Sequence, residues 1–464
     1  MSFLICLGAL AFLMFVAYRG FSVILFAPVA ALGAVLLTDP AAVPVIYSGL
    51  FMDKMVGFIK LYFPVFLLGA VFGKVIELSG FSRSIVSAAI GILGQSRAML
   101  AIVLVGAILT YGGVSLFVVV FAVYPFGAEL FRQVGIPKRL LPATIALGAF
   151  SFTMDAMPGT PQIQNIIPTT FFKTTAYAAP ILGLVGSVFI LVAGLAYLNF
   201  RRKQALAKGE GYGEGHTQEP APQIDTVRGV NPLLAILPLI VVGIANLALG
   251  RLIPLAYGDT ATALLTPGEH AISMPTASVV AIWAVQGALL LGILTVFLFA
   301  FRPVAIQFAD GSKAAVAGAL LAGLNTASEY GFGAVIAALP GFMVIKNALA
   351  AIPNPLVNEA ISITALAGIT GSASGGLSIA LAAMSEQFIS AANAAGIPME
   401  VMHRVAAMAS GGMDTLPHNG AVITLLAVCG LSHKQSYGDI FAITLTKTAA
   451  VFFVIGFYYL TGLY

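Results

Sequence analysis

Charged side chains are what this chain has least of. Asp, Glu, Lys and Arg make up 9% of its 464 residues, where a soluble globular chain carries about 25%. Water cannot solvate a body of this size through so small a polar surface. The scarcity excludes a soluble enzyme and a disordered protein. With only 22 basic residues against 18 acidic ones, and a formal charge of +4, it also excludes a nucleic-acid surface. Cysteine is nearly absent. Cys6 and Cys429 lie near opposite ends of the sequence inside apolar stretches, so neither a structural disulfide nor metal-ligand spacing is indicated. No glycine-rich phosphate loop with a lysine occurs, which disfavours ATP-driven chemistry and leaves no cofactor expected.

What the chain has instead is long apolar runs. Hydrophobic residues form 59% of it. Residues 2–18, 21–38, 57–79, 177–199, 231–250, 276–301 and 440–462 are each mostly uncharged. A bilayer core about 30 Å thick takes roughly 20 apolar residues as helix, so these runs predict membrane spans and an all-α polytopic protein. The first run lacks a basic lead and a small-residue cleavage site, and reads as a permanent span.

One segment breaks the pattern. Between 201 and 228 the chain is rich in Gly and Glu and holds nine of the 40 charged residues. It reads as a linker, 201–230, between halves 1–200 and 231–464. It opens with Arg201-Arg202-Lys203 directly after a span, which places it in the cytoplasm by the positive-inside rule.

The halves repeat each other. Gly112-Gly113-Val114-Ser115, Gly135-Ile136-Pro137 and Met154-Asp155-Ala156-Met157-Pro158 recur in order. Their counterparts are Gly375-Gly376-Leu377-Ser378, Gly396-Ile397-Pro398 and Met413-Asp414-Thr415-Leu416-Pro417. From the chain's own composition, Met-Asp-x-x-Pro should arise about 0.01 times by chance, and it occurs twice. Each copy has an apolar segment interrupted by a Gly/Ser turn, 98–134 and 356–398. These read as re-entrant hairpins. The first has basic flanks (Arg97, Arg132, Lys138, Arg139) and the second acidic ones (Glu359, Glu386, Glu400), with Arg404 as the exception. Opposite flanks and about five spans per half predict two inverted-topology repeats, the plan of secondary transporters.

After each hairpin comes a helix that breaks, near 153–165 and near 411–420. Pro158 and Pro161 with Gly159 between them cannot remain α-helical, and unwound backbone in a membrane must line a cavity or be buried in protein. The restarted half-helix offers free N–H groups to an anion, and the preceding half offers carbonyls to a cation. Asp155 and Asp414 are read either as N-caps or as coupling-ion ligands, for a proton or for Na⁺, since an intramembrane carboxylate is costly and usually functional. Thr160, Gln162 and Asn165 in the first break are candidate substrate contacts, or satisfy the broken backbone. His418 and Asn419 occupy the corresponding place in the second, where His418, near Asp414, contacts substrate or carries a proton, or is a hydrogen-bonded packing residue. A third cluster, Asn325, Thr326, Ser328 and Glu329, lies in the apolar run 314–338 and adds Glu329 as a proton carrier. Its counterpart Glu77, near Lys74 and Arg83, reads as an ordinary ion pair. The hairpin tips supply the hydroxyls of Ser115, Ser372, Ser374 and Ser378, which either meet substrate or permit close helix packing.

Four stretches carry a family resemblance: Thr153 to Phe172, Asn325 to Gly333, Ile369 to Leu377 and Met413 to Thr424. There the chain resembles the gluconate permease family of proton symporters within the ion transporter superfamily. It looks most like the branch assigned to 3-hydroxybutyrate and similar short carboxylates. It departs from gluconate permeases proper at Met154-Asp155-Ala156-Met157-Pro158. The resemblance implies a homodimer with elevator-type movement in a bacterial cytoplasmic membrane. It implies uptake of a small hydroxy-monocarboxylate with protons, the Na⁺-coupled version being the near alternative. A passive channel and an intramembrane aspartyl protease are the remote ones; the protease's Gly-x-Gly-Asp signature fails here because Met413 precedes Asp414.

Overall fold

The computed structural model describes residues 2–19, 21–94, 97–114, 116–216, 219, 230–263, 271–344, 347, 352–417 and 419–464. Ser115 and His418 lie outside these. The chain is an all-α polytopic membrane protein. Its first half runs α1 (Ser2–Tyr18), α2 (Val23–Thr38), α3 (Pro40–Leu78), α4 (Phe81–Leu93), α5 (Ala98–Tyr111), α6 (Leu116–Val134), α7 (Leu141–Ala149), α8 (Phe152–Asp155), α9 (Ile163–Phe172) and α10 (Pro180–Ala207). Its second runs α11 (Pro232–Tyr257), a two-stranded antiparallel ribbon β1 (Thr260–Ala263) and β2 (Ile272–Pro275), α12 (Thr276–Ala338), α13 (Pro355–Thr370), α14 (Ala373–Ala394), α15 (Met399–Ser410), α16 (Gly420–Cys429) and α17 (His433–Thr461). Five of these helices, α3, α10, α11, α12 and α17, are long and apolar enough to cross a membrane.

Local sequence sets the boundaries. Proline opens α10, α11 and α13 in the first turn, where its missing N–H costs nothing. The side chains of Asn231, Asn354, Ser372 and Asn419 cap the helices that follow them. Pro303 cannot donate to the turn before it, and α12 kinks at Ala300 (φ −137°, ψ 40°). The second part of α12 then packs along α3.

Helices of matching rank pack antiparallel. Gly331, Gly323 and Gly311 of α12 lie against Phe51, Phe63 with Phe66, and Leu78 with Lys74 of α3, so one helix rises as the other descends. Between α10 and α17, Phe189 stacks on Phe453 with ring centroids 4.6 Å apart, while Tyr197 and Arg201 reach Asp439 near the other helix's start. The linker fixes one end of the molecule. Ser84, just inside α4, donates to the Val230 carbonyl, and the Lys138 N–H donates to the Tyr212 carbonyl. At the far end α3 begins beside the last turn of α12, where Val35, Thr38 and Ala42 face Val335 and Leu339 across a small cavity. The hairpin α5–α6 therefore starts from the linker end, and α13–α14 from the opposite one.

The linker's first part is docked. Arg139 donates to both carboxylate oxygens of Glu210 (2.7 and 3.0 Å), and Lys138 to Glu219 (2.8 Å). Residues 208–216 thus close over the base of the first hairpin, and the basic flank read from sequence as a topology signal also holds the linker.

Candidate functional site

Both hairpin tips and both helix breaks meet at one cavity of about 970 Å³. Gly113 and Leu116 come from the first tip, and Met154 with Pro161–Gln164 from the first break. Thr370–Ser374 come from the second tip, and Asp414, Thr415 and Asn419–Ala421 from the second break. Asn325, Thr326 and Glu329 of α12 complete the wall. The cavity extends to Phe21, Ser22, Lys74 and Glu77, toward the end where α3 meets the linker side. There Lys74 and Glu77 form the exposed pair expected from their spacing, 2.9 Å apart.

The two breaks hold the two tips by the same device. Gln162, at the N-cap of α9, donates its amide to the carbonyls of Thr110 (2.8 Å) and Val114 (3.3 Å). Asn419, the N-cap of α16, donates to the Gly371 carbonyl (2.6 Å) while its oxygen caps Val422. Gly159 is forced to be glycine: its φ is +81°, and a Cβ there would overlap the Tyr177 ring. The result places the N-terminal turns of α6, α9, α14 and α16 on one cavity, each presenting N–H groups without intrahelical partners.

The matched aspartates are not equivalent. Asp414 lines the cavity and pairs with Lys447 of α17 (2.7 Å), whose ammonium also donates to the Phe150 carbonyl (2.8 Å) at the end of α7. Asp155 stands behind the cavity wall at the end of α8, so it does not cap the restarted helix. Its Oδ2 has no hydrogen-bond partner and lies against Gly411, where a Cβ would overlap it and come 3.2 Å from Lys447 Cε. Around Asp155 the broken backbone is held by Arg404, wholly buried in α15. Its guanidinium donates to the carbonyls of Ala178 (2.8 and 3.1 Å), Asp155 (3.2 Å) and Ala176 (3.4 Å), and to Asn165 Oδ1 (3.0 Å). His403 Nε2 is 3.2 Å from the same Asn165 oxygen, and its Nδ1 is 2.6 Å from Thr174.

Glu329 is buried on the cavity wall with its Oε2 unpaired, seated over Gly375 at the start of α14, where a Cβ would overlap the carboxylate. Thr326 and Ser374 hydroxyls are 3.2 Å apart beside it, and Asn325 Oδ1 is unpaired.

Of the residues singled out from sequence, the cavity brings together Gln162, Asn325, Thr326, Glu329, Ser372, Ser374, Asp414 and Asn419. Five others lie behind it: Asp155 as described, Asn165 in the Arg404 network, Ser328 facing the Met55 sulfur (4.0 Å), and Thr160 and Ser378, whose hydroxyls are buried without partners. Ser115 and His418 fall outside the described residues. Sequence reading missed Lys447, although a single lysine within the run 440–462 was its signal, and took Arg404 only as an exception to the flank charges. It also took Glu359 for a hairpin flank; the structure buries it inside α13 with both oxygens unpaired.

No family model matches the chain. It is 58% identical over 476 residues to the uncharacterized transporter YxjC of Bacillus subtilis (strain 168), covering all of both chains. Among solved structures, the crystal structure of the Alcanivorax borkumensis YdaH transporter, described as having an unusual topology, superposes with a TM-score of 0.52. It covers 92% of this chain and 90% of that one at 16% identity, a likeness of fold alone.

Proposed function

The chain belongs to the transporter family of YxjC, and from that premise we propose that it is a secondary active symporter of a small hydroxy-monocarboxylate. The observation that carries the proposal is the convergence of four helix N-termini on one cavity whose wall holds a buried Glu329 with its Oε2 unpartnered. Such N-termini favour a carboxylate. About 970 Å³ accommodates a short hydroxy acid with water around it. Thr326, Ser372 and Ser374 offer hydroxyl partners for the remaining oxygens, while the amides of Gln162 and Asn419 hold the hairpin tips that shape the wall.

Glu329 is the proton carrier in this reading. It faces the cavity, has no cation beside it among the described residues, and touches the second hairpin at Gly375. Neutralising it removes a negative charge next to the α14 N-terminus as the substrate's carboxylate arrives. Residues 1–200 and 231–464 act as the inverted repeats, a division supported by the antiparallel packing of their matching helices. The helices α3, α11 and α12 form the scaffold of a homodimer, past which the hairpins and broken helices move as an elevator. The linker faces the cytoplasm of a bacterium, so the cavity as described opens inward.

Reconstituted protein tests this. An imposed proton gradient without Na⁺ should drive accumulation of 3-hydroxybutyrate or gluconate above equilibrium. An absolute Na⁺ requirement would defeat proton coupling, and equilibration without accumulation would make the protein a channel. Glu329→Gln should abolish proton-driven accumulation.

A further inference from the structure

We infer that Lys447 is a built-in cation: its ammonium fills the position at the second helix break that a coupling Na⁺ would otherwise take, and Arg404 does the same for the carbonyls of the first. The inference rests on the transporter reading above and deepens it, by naming the residues that decide which ion can couple.

Broken helices in inverted-repeat transporters coordinate Na⁺ through unwound carbonyls and half-helix C-terminal ends. Here those groups are occupied by side chains. The C-terminal end of α7 presents the Phe150 carbonyl, and across the repeat boundary Asp414 presents Oδ1. The Lys447 ammonium sits between them at 2.8 and 2.7 Å. The carbonyls of Asp155, Ala176 and Ala178 around the first break all accept from Arg404. Lys447, Asp414 and Arg404 are all at least nine-tenths buried, so bulk ions do not compete with them freely.

A second observation points to a cation at this position. Asp155 Oδ2 is buried without a hydrogen-bond partner against Gly411, whose missing Cβ would also lie 3.2 Å from Lys447 Cε. One acid and one carbonyl thus hold the ammonium, and a second acid, Asp155, lies unpartnered across Gly411 from the lysine's chain. Removing that ammonium leaves these oxygens in a space that must regain positive charge. A monovalent cation from water can supply it.

The experiment uses the purified full-length chain in detergent, melted in sodium chloride and in choline chloride at equal ionic strength. Wild-type melting should be the same in both. Lys447→Met keeps the side-chain volume and removes the charge. It should melt lower than wild type in choline and recover by a saturable rise in melting temperature as Na⁺ is added. The double variant Lys447→Met/Asp414→Asn should lose that Na⁺ response. If Lys447→Met does not fold without the ammonium, its folded yield should depend on Na⁺ during expression and extraction. Specific Na⁺ stabilisation of wild type, or a folded Lys447→Met indifferent to Na⁺, would overturn the inference. Melting needs no transport, so a Na⁺-responsive Lys447→Met in a protein that accumulates no acid would leave the inference standing and defeat the substrate reading. Proton-driven uptake with an indifferent variant would do the reverse.

Discussion

A buried ion pair fixes a protein more by what its loss costs than by what its presence adds. Lys447 and Asp414 are both withdrawn from solvent, and removing one partner of such a pair costs about 3–5 kcal/mol because the other remains charged and unpaired. Asp414→Asn should therefore lower stability by that order, and the Asp414→Asn/Lys447→Met double variant should regain most of it. Denaturant unfolding of the four proteins of the cycle in choline chloride checks this; additive losses would mean that the two side chains do not share one interaction. Asp155→Asn should cost less, since its Oδ2 already lacks a partner. The sequence made the acids visible, because a carboxylate in an apolar run is conspicuous. It did not reveal the difference between Asp155 and Asp414, whose motifs match. That difference comes from a lysine 33 residues downstream of one and an arginine 249 residues downstream of the other, and only the packing of α15 and α17 brings them there.

At the scale of elements, breaks and hairpins were legible because proline and glycine leave physical marks on a helix. What glycine and proline do not encode is which carbonyl an amide will reach, so the symmetric roles of Gln162 and Asn419 emerge only from the fold. The linker shows the same limit. Its composition reads as a free tether, yet Glu210 is clamped by Arg139, and hydrogen bonding to that guanidinium holds the Glu210 carboxyl below the usual carboxylate range. A group with a lowered folded pKa contributes stability above its ordinary value and loses it as pH falls through the folded one. The latch should be intact at pH 7 and release only in acid below the ordinary glutamate range. A nitroxide on Glu214→Cys reports this: its spectrum should be restricted at pH 7 and mobile near the acid limit. In a Glu210→Gln/Glu219→Gln background it should be mobile at both. Equal mobility in all samples would mean that these pairs do not hold the linker.

At the scale of the whole molecule, five of the seven apolar runs fall in helices long and apolar enough to cross a membrane, while 2–18 and 21–38 form shorter apolar helices. The direction of each repeat followed from flank charges that the structure partly reassigns to other work. Glu359 is an interior residue, and Lys138 and Arg139 are linker contacts, so orientation now rests on geometry. The cavity reaches Ser22, Lys74 and Glu77 near the linker, whereas α3 begins at the opposite end near Ala41. Gly318 lines the cavity, and a Cβ there meets nothing within 4 Å, so Gly318→Cys places a thiol in the cavity without strain. The native Cys6 and Cys429 are buried and give little background. An impermeant maleimide should label Gly318→Cys from the cytoplasmic face, in inside-out vesicles, and Ala41→Cys only from the other. A transported hydroxy acid should slow the first reaction and leave the second unchanged. Labelling of both positions from one face would contradict a cavity open to the linker end alone. Labelling of Gly318→Cys only from outside would reverse the orientation of the linker and, with it, the direction from which the described state admits its substrate.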